Sequence, residues 1–154
     1  MTAQVSRMSH VAICVSNMEA SLAFYRDLLG FTVILDQMQD TTEGGLPYVY
    51  KNTHAQRRAV HLRYGEGDSA PRLVVTEHPG DPPDGEPIKL DQIGISHVAF
   101  TVPNVESLAR ELVAKGARTS GPIDAFHDAE GRITTVYFLD PDGMLVQFDQ
   151  PPRR

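Results

Sequence analysis

Short apolar runs alternate with turn-forming clusters along this chain, and twice a run gives way to apolar residues at helical spacing. Met8 to Val15 is small, apolar and β-branched, which predicts a strand. Ser16 or Asn17 can then cap a helix, and Glu19 falls in the first turn, where the helix dipole favours a negative charge. Met18, Leu22, Tyr25 and Leu29 recur at helical spacing and predict one continuous inward face, with Gly30 placed for a left-handed stop. "FTVIL" (Phe31 to Leu35) predicts a second strand. "LPYVYK", "AVHLRY" and "RLVVTEH" predict three more, divided by the loop Gln39 to Gly45 and the turn-rich piece Gly65 to Pro71. The order then returns. "ISHVAFTV" predicts a strand, Asn104 a cap, Val105 to Lys115 a helix and Gly116 its stop. "RITTVYFLD" and "GMLVQFDQ" predict a hairpin around Pro141-Asp142-Gly143.

This return is an internal repeat. "SHVAICVSNME" (Ser9 to Glu19) and "SHVAFTVPNVE" (Ser96 to Glu106) agree at seven of eleven positions, and His10 and His97 hold the same place 87 residues apart. Between the copies, "HPGDPPDGEPIKLDQ" (His78 to Gln92) is too rich in proline and glycine to be a regular element. The expected fold is therefore α+β: two βαβββ modules at 7–78 and 93–150, joined by a linker at 79–92, in a single domain over 1–154. Two such modules related by a pseudo-twofold axis can curl into a partly closed barrel with a cleft. That barrel forms either within one chain or by exchange of halves between two, and a homodimer is expected.

Composition narrows the function classes. A chain of 154 residues that is 41% hydrophobic can bury one substantial core. Its net charge of −6 repels a phosphate backbone, so no nucleic-acid partner is expected. The basic cluster "KNTHAQRR" (Lys51 to Arg58) reads as a solvated hairpin loop. With Cys14 as its one cysteine, the chain has no intrachain disulfide and no four-cysteine metal site, and Cys14 reads as a small buried strand residue. The start "MTAQVSRMSH" lacks a signal peptide's apolar core and no run is long enough to span a bilayer. A soluble cytoplasmic protein without a membrane partner is expected. No phosphate-cradling G-x-G-x-x-G or G-x-x-x-x-G-K pattern occurs.

Strand parity places the candidate chemistry. His10 shares a face with Met8, Ala12 and Cys14; His97 shares one with Ile95, Ala99 and Thr101. The bulky apolar Val11, Ile13, Val15 and Val98, Phe100, Val102 face the other way and suit packing under the helices. A lone strand histidine is usually a satisfied core residue. Two at equivalent positions of a repeat point to a shared cavity, where neutral imidazoles suit a divalent first-row metal. Gln147 shares a face with Leu145 and Asp149 and can offer a carbonyl oxygen as third ligand, or be an ordinary polar strand residue.

The stretches "SHVAICVSNMEASLAFYRDLLGF", "ISHVAFTVPNVESLARELVAKGA" and "VYFLDPDGMLVQF" resemble the vicinal oxygen chelate superfamily: glyoxalase I, methylmalonyl-CoA epimerase, extradiol dioxygenases, fosfomycin-resistance enzymes and bleomycin-binding proteins. The resemblance covers nearly the whole chain. It implies the paired βαβββ fold (the glyoxalase/bleomycin resistance/dioxygenase type) and a cleft for one small-molecule substrate. It also implies metal ligation by His10 and His97, with Gln147 where the family usually has a glutamate. The first-half counterpart falls near Val74, which cannot bind metal; of nearby Glu77 and His78, only His78 shares its face. Ring-cleaving members add a histidine and a tyrosine beyond the ligands, and here His127 and Tyr137 resemble them. The resemblance thus implies iron(II), with Zn, Ni, Mn or Co as alternatives. His127 would be an acid/base and Tyr137 a hydrogen-bond partner of the substrate oxygen. Ring cleavage of a catechol-like or vicinal di-oxygen substrate leads. Glyoxalase- or epimerase-type isomerase or lyase chemistry is one alternative, and a metal-free drug-binding protein is another.

Overall fold

The computed structural model describes residues 4–67 and 70–151. The first three residues of the N-terminal stretch, positions 68 and 69 of the expected turn 65–71, and residues 152–154 lie outside the described residues. The chain divides into two compact units, Met1–Asp84 and Gly85–Arg154. Each carries a four-stranded mixed sheet with few helices, an α+β architecture in β-α-β-β-β order.

In the first unit the strands are β1 (His10–Cys14), β2 (Thr32–Asp40), β3 (Gln56–Arg63) and β4 (Arg72–Glu77), in the order β1-β4-β3-β2. β1 runs parallel to β4, and the other pairs are antiparallel. The single helix α1 (Met18–Leu22) starts as its cap predicts: Asn17 Oδ1 accepts from Ala20 N–H at 2.9 Å. One continuous α-helix to Leu29 does not form. From Ala23 to Leu28 the backbone widens into a π-helix, closed by Leu29 N–H donating to the Phe24 carbonyl at 3.0 Å. The wider turn lets the adjacent Phe24 and Tyr25 both bury, with rings 5.0 Å apart edge to face, while Leu29 is only half-buried. Gly30 takes the stop at φ 79°.

Two further expectations change here. "LPYVYK" is no strand: Leu46–Tyr48 forms a 3-10 turn with Pro47 in its first positions, where a missing N–H costs nothing, and Tyr48 and Val49 are exposed. The basic cluster is not one solvated loop either. Its last residues, Arg57 and Arg58, belong to β3, and both are half-buried.

In the second unit β5 (His97–Thr101), β6 (Arg118–Thr119), β7 (Thr135–Leu139) and β8 (Leu145–Asp149) are ordered β5-β8-β7-β6, with β5 again parallel to the last strand. α2 (Val105–Ala114) is capped by Asn104 Oδ1, which accepts from Ser107 N–H at 2.9 Å, and it buries Val105, Ala109 and Leu112. Gly116 at φ 88° ends it, and Ala117 N–H closes back on the Leu112 carbonyl at 2.9 Å. One sheet face supplies the core, with Val136, Phe138, Val146 and Phe148 all buried. The hairpin turn is held by buried Asp140, whose Oδ1 accepts from Asp142 N–H and Met144 N–H at 3.0 and 2.8 Å. Among the described residues no helix is long and apolar enough to cross a membrane.

Candidate functional site

Each sheet has one face against its helix and one turned away, and the parity of the strands decides which side chains stand on the second. In the second unit β5 brings His97, β8 brings Leu145 and Gln147, and β7 brings Tyr137 and Leu139. The register pairs His97 with Leu145 and Tyr137 with Gln147. Their strand neighbours Val146, Phe148, Val136 and Phe138 go to the core, so the alternation predicted from the sequence fixes this face.

Three of the candidate residues therefore stand together. The His97 and Tyr137 rings meet edge to face with centroids 5.7 Å apart. Ser96 Oγ lies 2.8 Å from His97 Nδ1, which holds the ring by one nitrogen and leaves Nε2 to act. Gln147 Nε2 donates to Thr135 Oγ1 at 3.1 Å, which leaves its carbonyl oxygen to turn towards a ligand. Tyr137 is half-buried, and its hydroxyl makes no hydrogen bond among the described residues.

His127 is placed differently. It follows the 3-10 turn Ile123–Phe126, is exposed, and has its Nδ1 2.6 Å from the Asp124 carbonyl of its own loop. Its neighbour Phe126 is the residue that approaches Tyr137, with ring centroids 6.3 Å apart.

An open cavity of about 580 Å³ lies on this face of the second unit. Its walls are Tyr137, Leu139, Leu145, Ser120 and Phe126, with Lys89, Leu90 and Asp91 from the preceding segment. His97 flanks two of these walls, opposite Leu145 in register and ring to ring with Tyr137. The sequence reading missed the contribution of 89–91, which it placed in a linker. Of the apolar pair inside that proline-rich segment Ile88 is half-buried but Leu90 is exposed, so the sequence carried no clear signal of the segment's place beside the cavity.

In the first unit the corresponding face carries His10, Ala12 and Cys14 of β1 beside Arg72, Val74 and Thr76 of β4. His10 repeats the arrangement of His97, with Ser9 Oγ 3.1 Å from its Nδ1. Glu77 turns to the helix side, where its Oε1 accepts from Met18 N–H at 3.0 Å. Cys14 is exposed rather than buried, because β1 is the edge strand of its sheet and Cys14 faces away from α1. His78 closes the row. Its Nε2 is 3.0 Å from the Tyr50 hydroxyl, its ring stacks on His54 at 4.1 Å, and His54 pairs with Asp81. Burial, then the charge of His54, pushes the His78 pKa below its ordinary 6.5.

Divalent metals are common in the family this architecture suggests. Within the second unit His97 and Gln147 supply two neutral donors. Within the first, His10 has the cationic Arg72 directly across from it. Among the described residues no three His, Cys, Asp or Glu side chains group to hold a metal ion. Either unit by itself thus offers fewer than the three or four protein ligands that a resident divalent metal takes.

The sheet order and the repeated Ser-His strands define a class, and the comparisons agree: residues 7–148 match the model of the Glyoxalase/Bleomycin resistance protein/Dioxygenase superfamily, and the chain belongs to it. Members are typically small-molecule-binding homodimers. The ethylmalonyl-CoA/methylmalonyl-CoA epimerase of Cereibacter sphaeroides is 27% identical over 149 residues, 95% of this chain and 98% of that protein. The lactoylglutathione lyase of Schizosaccharomyces pombe is 24% identical over 148 residues, 92% of this chain but 46% of that protein. A glyoxalase family protein from Bacillus cereus superposes with a TM-score of 0.73, covering 96% of this chain and 95% of its own, and at 16% identity shows the shared fold. These relatives favour the epimerase and lyase alternative over ring cleavage.

Proposed function

We propose that the protein is an isomerase or lyase of the epimerase and glyoxalase kind, moving a proton at a carbon next to a carbonyl group. The observation that carries this reading is the pairing of His97 and Tyr137 on one face, with Tyr137 in the wall of an open cavity. His97 Nε2 takes the proton, and the unpaired Tyr137 hydroxyl donates a hydrogen bond to the carbonyl oxygen as it gains negative charge. The apolar side chains of Leu139, Leu145 and Phe126 give the developing enolate neighbours of low polarity on one side. A relative of matching length is an epimerase, which supports the same class. Iron(II) and the exposed His127 have no part in this scheme.

The test is proton exchange in deuterated water, followed by NMR, with a 2-methylmalonyl thioester and a 2-oxoaldehyde hemithioacetal as probes. Exchange should exceed background for one of them and fall about 10²–10⁴-fold in His97→Gln. No exchange with either probe, or full exchange in His97→Gln, would sink the proposal. A second reading, a metal-free binding protein, is favoured by the apolar part of the wall and by the fact that, among the described residues, no carboxylate hydrogen-bonds His97. It predicts saturable ligand binding without exchange.

A further inference from the structure

The connection 41–55 between β2 and β3 holds no strand and no helix beyond the Leu46–Tyr48 turn, and a cluster of rings that the proposed reaction does not use ties it down. Its base closes on itself: buried Thr41 N–H donates to the Ala55 carbonyl at 3.1 Å, and Thr41 Oγ1 donates to the His54 carbonyl at 2.6 Å. Beyond that base, residues 50–54 meet the segment that leaves β4. The Tyr50 hydroxyl lies 3.0 Å from His78 Nε2, the His54 ring stacks on His78 at 4.1 Å, and the Tyr50 and His54 rings lie 5.2 Å apart. His54 Nδ1–H donates to Asp81, and Lys51 pairs with Asp84. The segment on the far side is stiff. Asp81 N–H donates to the His78 carbonyl at 3.0 Å, and Pro82 and Pro83 restrict the chain between Asp81 and Asp84.

His78 stands at the centre of this contact. It is only 9% exposed, and neighbours reach it from every element around it. β1 sets Cys14 Sγ 3.8 Å from Nδ1, the connection sets Tyr50 and His54 against the ring, β3 brings the charge of Arg57, and the turn after β4 brings that of Asp81. A neutral ring fits this setting: one nitrogen donates, the other accepts, and an uncharged face stacks on His54. A protonated ring does not. Its charge would sit out of water against His54 and towards Arg57, and the carboxylate that could offset it is already engaged by His54. Opening the contact lets water solvate that charge. Burial, then the charge of His54, pushes the His78 pKa below its ordinary 6.5, so the contact has its full strength above 6.5 and loses it as pH falls through the folded value. The outer part of the connection gains little hold elsewhere, since Tyr48 and Val49 are exposed.

We propose that His78 works a pH-operated latch: neutral, it holds residues 50–54 against residues 78–84, and on protonation it releases them while the four strands stay paired. The exposed ion pair of Lys51 and Asp84 is too weak to hold the segment alone. The pairing of β3 with β4 runs from Arg58 opposite Glu77 to Leu62 opposite Leu73 and uses none of the latch residues, so it survives the opening. The event is a local one, separate from unfolding of the whole unit. It does not rest on the reading of the second unit and stands whether or not that cavity turns over a substrate.

The full chain, isotope-labelled, should be followed by NMR from about pH 7.5 to about pH 5. Ring chemical shifts give the titration of His78, and amide relaxation gives the order of the backbone. The His78 ring should titrate below 6.5, and order parameters over 50–55 should fall from about 0.85 towards about 0.6 with the same midpoint, while Val60 and Val75 keep theirs. His78→Gln, which can still bond the Tyr50 hydroxyl but takes up no proton, should keep 50–55 ordered throughout. Should His78→Gln fail to fold, Tyr50→Phe, which removes only the hydroxyl at Nε2, should loosen 50–55 already at the upper end of the range. Order over 50–55 that persists to the lower end would overturn the proposal. So would loss of order at Val60 and Val75 with the same midpoint, which is unfolding of the unit, or an unmoved midpoint in His78→Gln, which places the titration elsewhere. Unchanged order in Tyr50→Phe would overturn it as well.

Discussion

Adjacent residues of β7 should respond to substitution in opposite ways. Phe138 is fully buried, and its ring meets Phe148 edge to face at 5.8 Å. Phe138→Ala removes that contact and leaves a cavity behind the sheet, which should cost about 3–5 kcal/mol. Against a total of about 5–15 kcal/mol for a folded domain, that is a large share. At roughly 2–4 °C per kcal/mol for a chain of this size, the melting temperature should drop by about 6–20 °C. Tyr137, one residue earlier, faces the cavity, and its hydroxyl has no hydrogen-bond partner among the described residues. Tyr137→Phe should therefore change stability by no more than about 0.5 kcal/mol while lowering the proton-exchange rate. The chain has no tryptophan, so circular dichroism during urea unfolding is the suitable probe. Loss of under about 1 kcal/mol in Phe138→Ala, or equal losses in the two variants, would mean that the faces of β7 have been assigned the wrong way round.

Stability should also fall as pH is lowered from about 7 towards 5. His78 and His61 both have folded pKa values below 6.5, so the unfolded chain takes up protons first and the advantage of the fold, full above 6.5, shrinks as pH falls through the folded values. The urea midpoint at several pH values should show this slope, and His78→Gln should flatten it; an unchanged slope would remove His78 from the account. Dialysis against EDTA should leave the melting temperature within about 1 °C, whereas a bound metal at a hundred times its Kd would add about 2.7 kcal/mol. Elemental analysis showing one metal per chain, lost in His97→Ala, would restore the metal-site expectation. Asn104→Ala, which deletes the acceptor of Ser107 N–H, should destabilise by about 1 kcal/mol in the same unfolding assay.

What the sequence made legible was what depends on period and on local chemistry. The face shared by His97, Gln147 and Tyr137 follows from a period of two, and α2 follows from its cap, apolar stripe and glycine stop. The features that stayed hidden depend on register or on competition between packing solutions. The π-helical stretch exists because Phe24 and Tyr25 both bury, whereas a regular 3.6-residue period admits Tyr25 with Leu29. Arg57 looked like a loop cation because nothing in "THAQRR" shows where β3 begins. Once the strand starts at Gln56, the alternation Arg57, Ala59, His61 becomes visible as a polar face. His127 resembles the extra histidine of ring-cleaving members in sequence, but the turn Ile123–Phe126 directs Phe126 to the Tyr137 ring and leaves His127 exposed.

The two halves keep one backbone and diverge in chemistry, and where they diverge is informative. Both retain a serine beside Nδ1 of the first-strand histidine, the parallel pairing of first and last strands, and a glycine stop after the helix. Opposite the histidine the last strands differ: β4 offers Arg72 and β8 offers Leu145. A guanidinium next to His10 repels any cation that ring could bind and attracts an anion, whereas leucine next to His97 leaves an uncharged wall. Val74 against Gln147 and His61 against Tyr137 differ at matching register positions as well, so the two faces part both in charge and in hydrogen-bonding capacity. Exchanging the two residues tests this directly. Leu145→Arg should suppress proton exchange at His97, while Arg72→Leu should leave it intact. Loss of exchange in a folded Arg72→Leu variant, or full exchange in Leu145→Arg, would refute the assignment of proton transfer to the second unit.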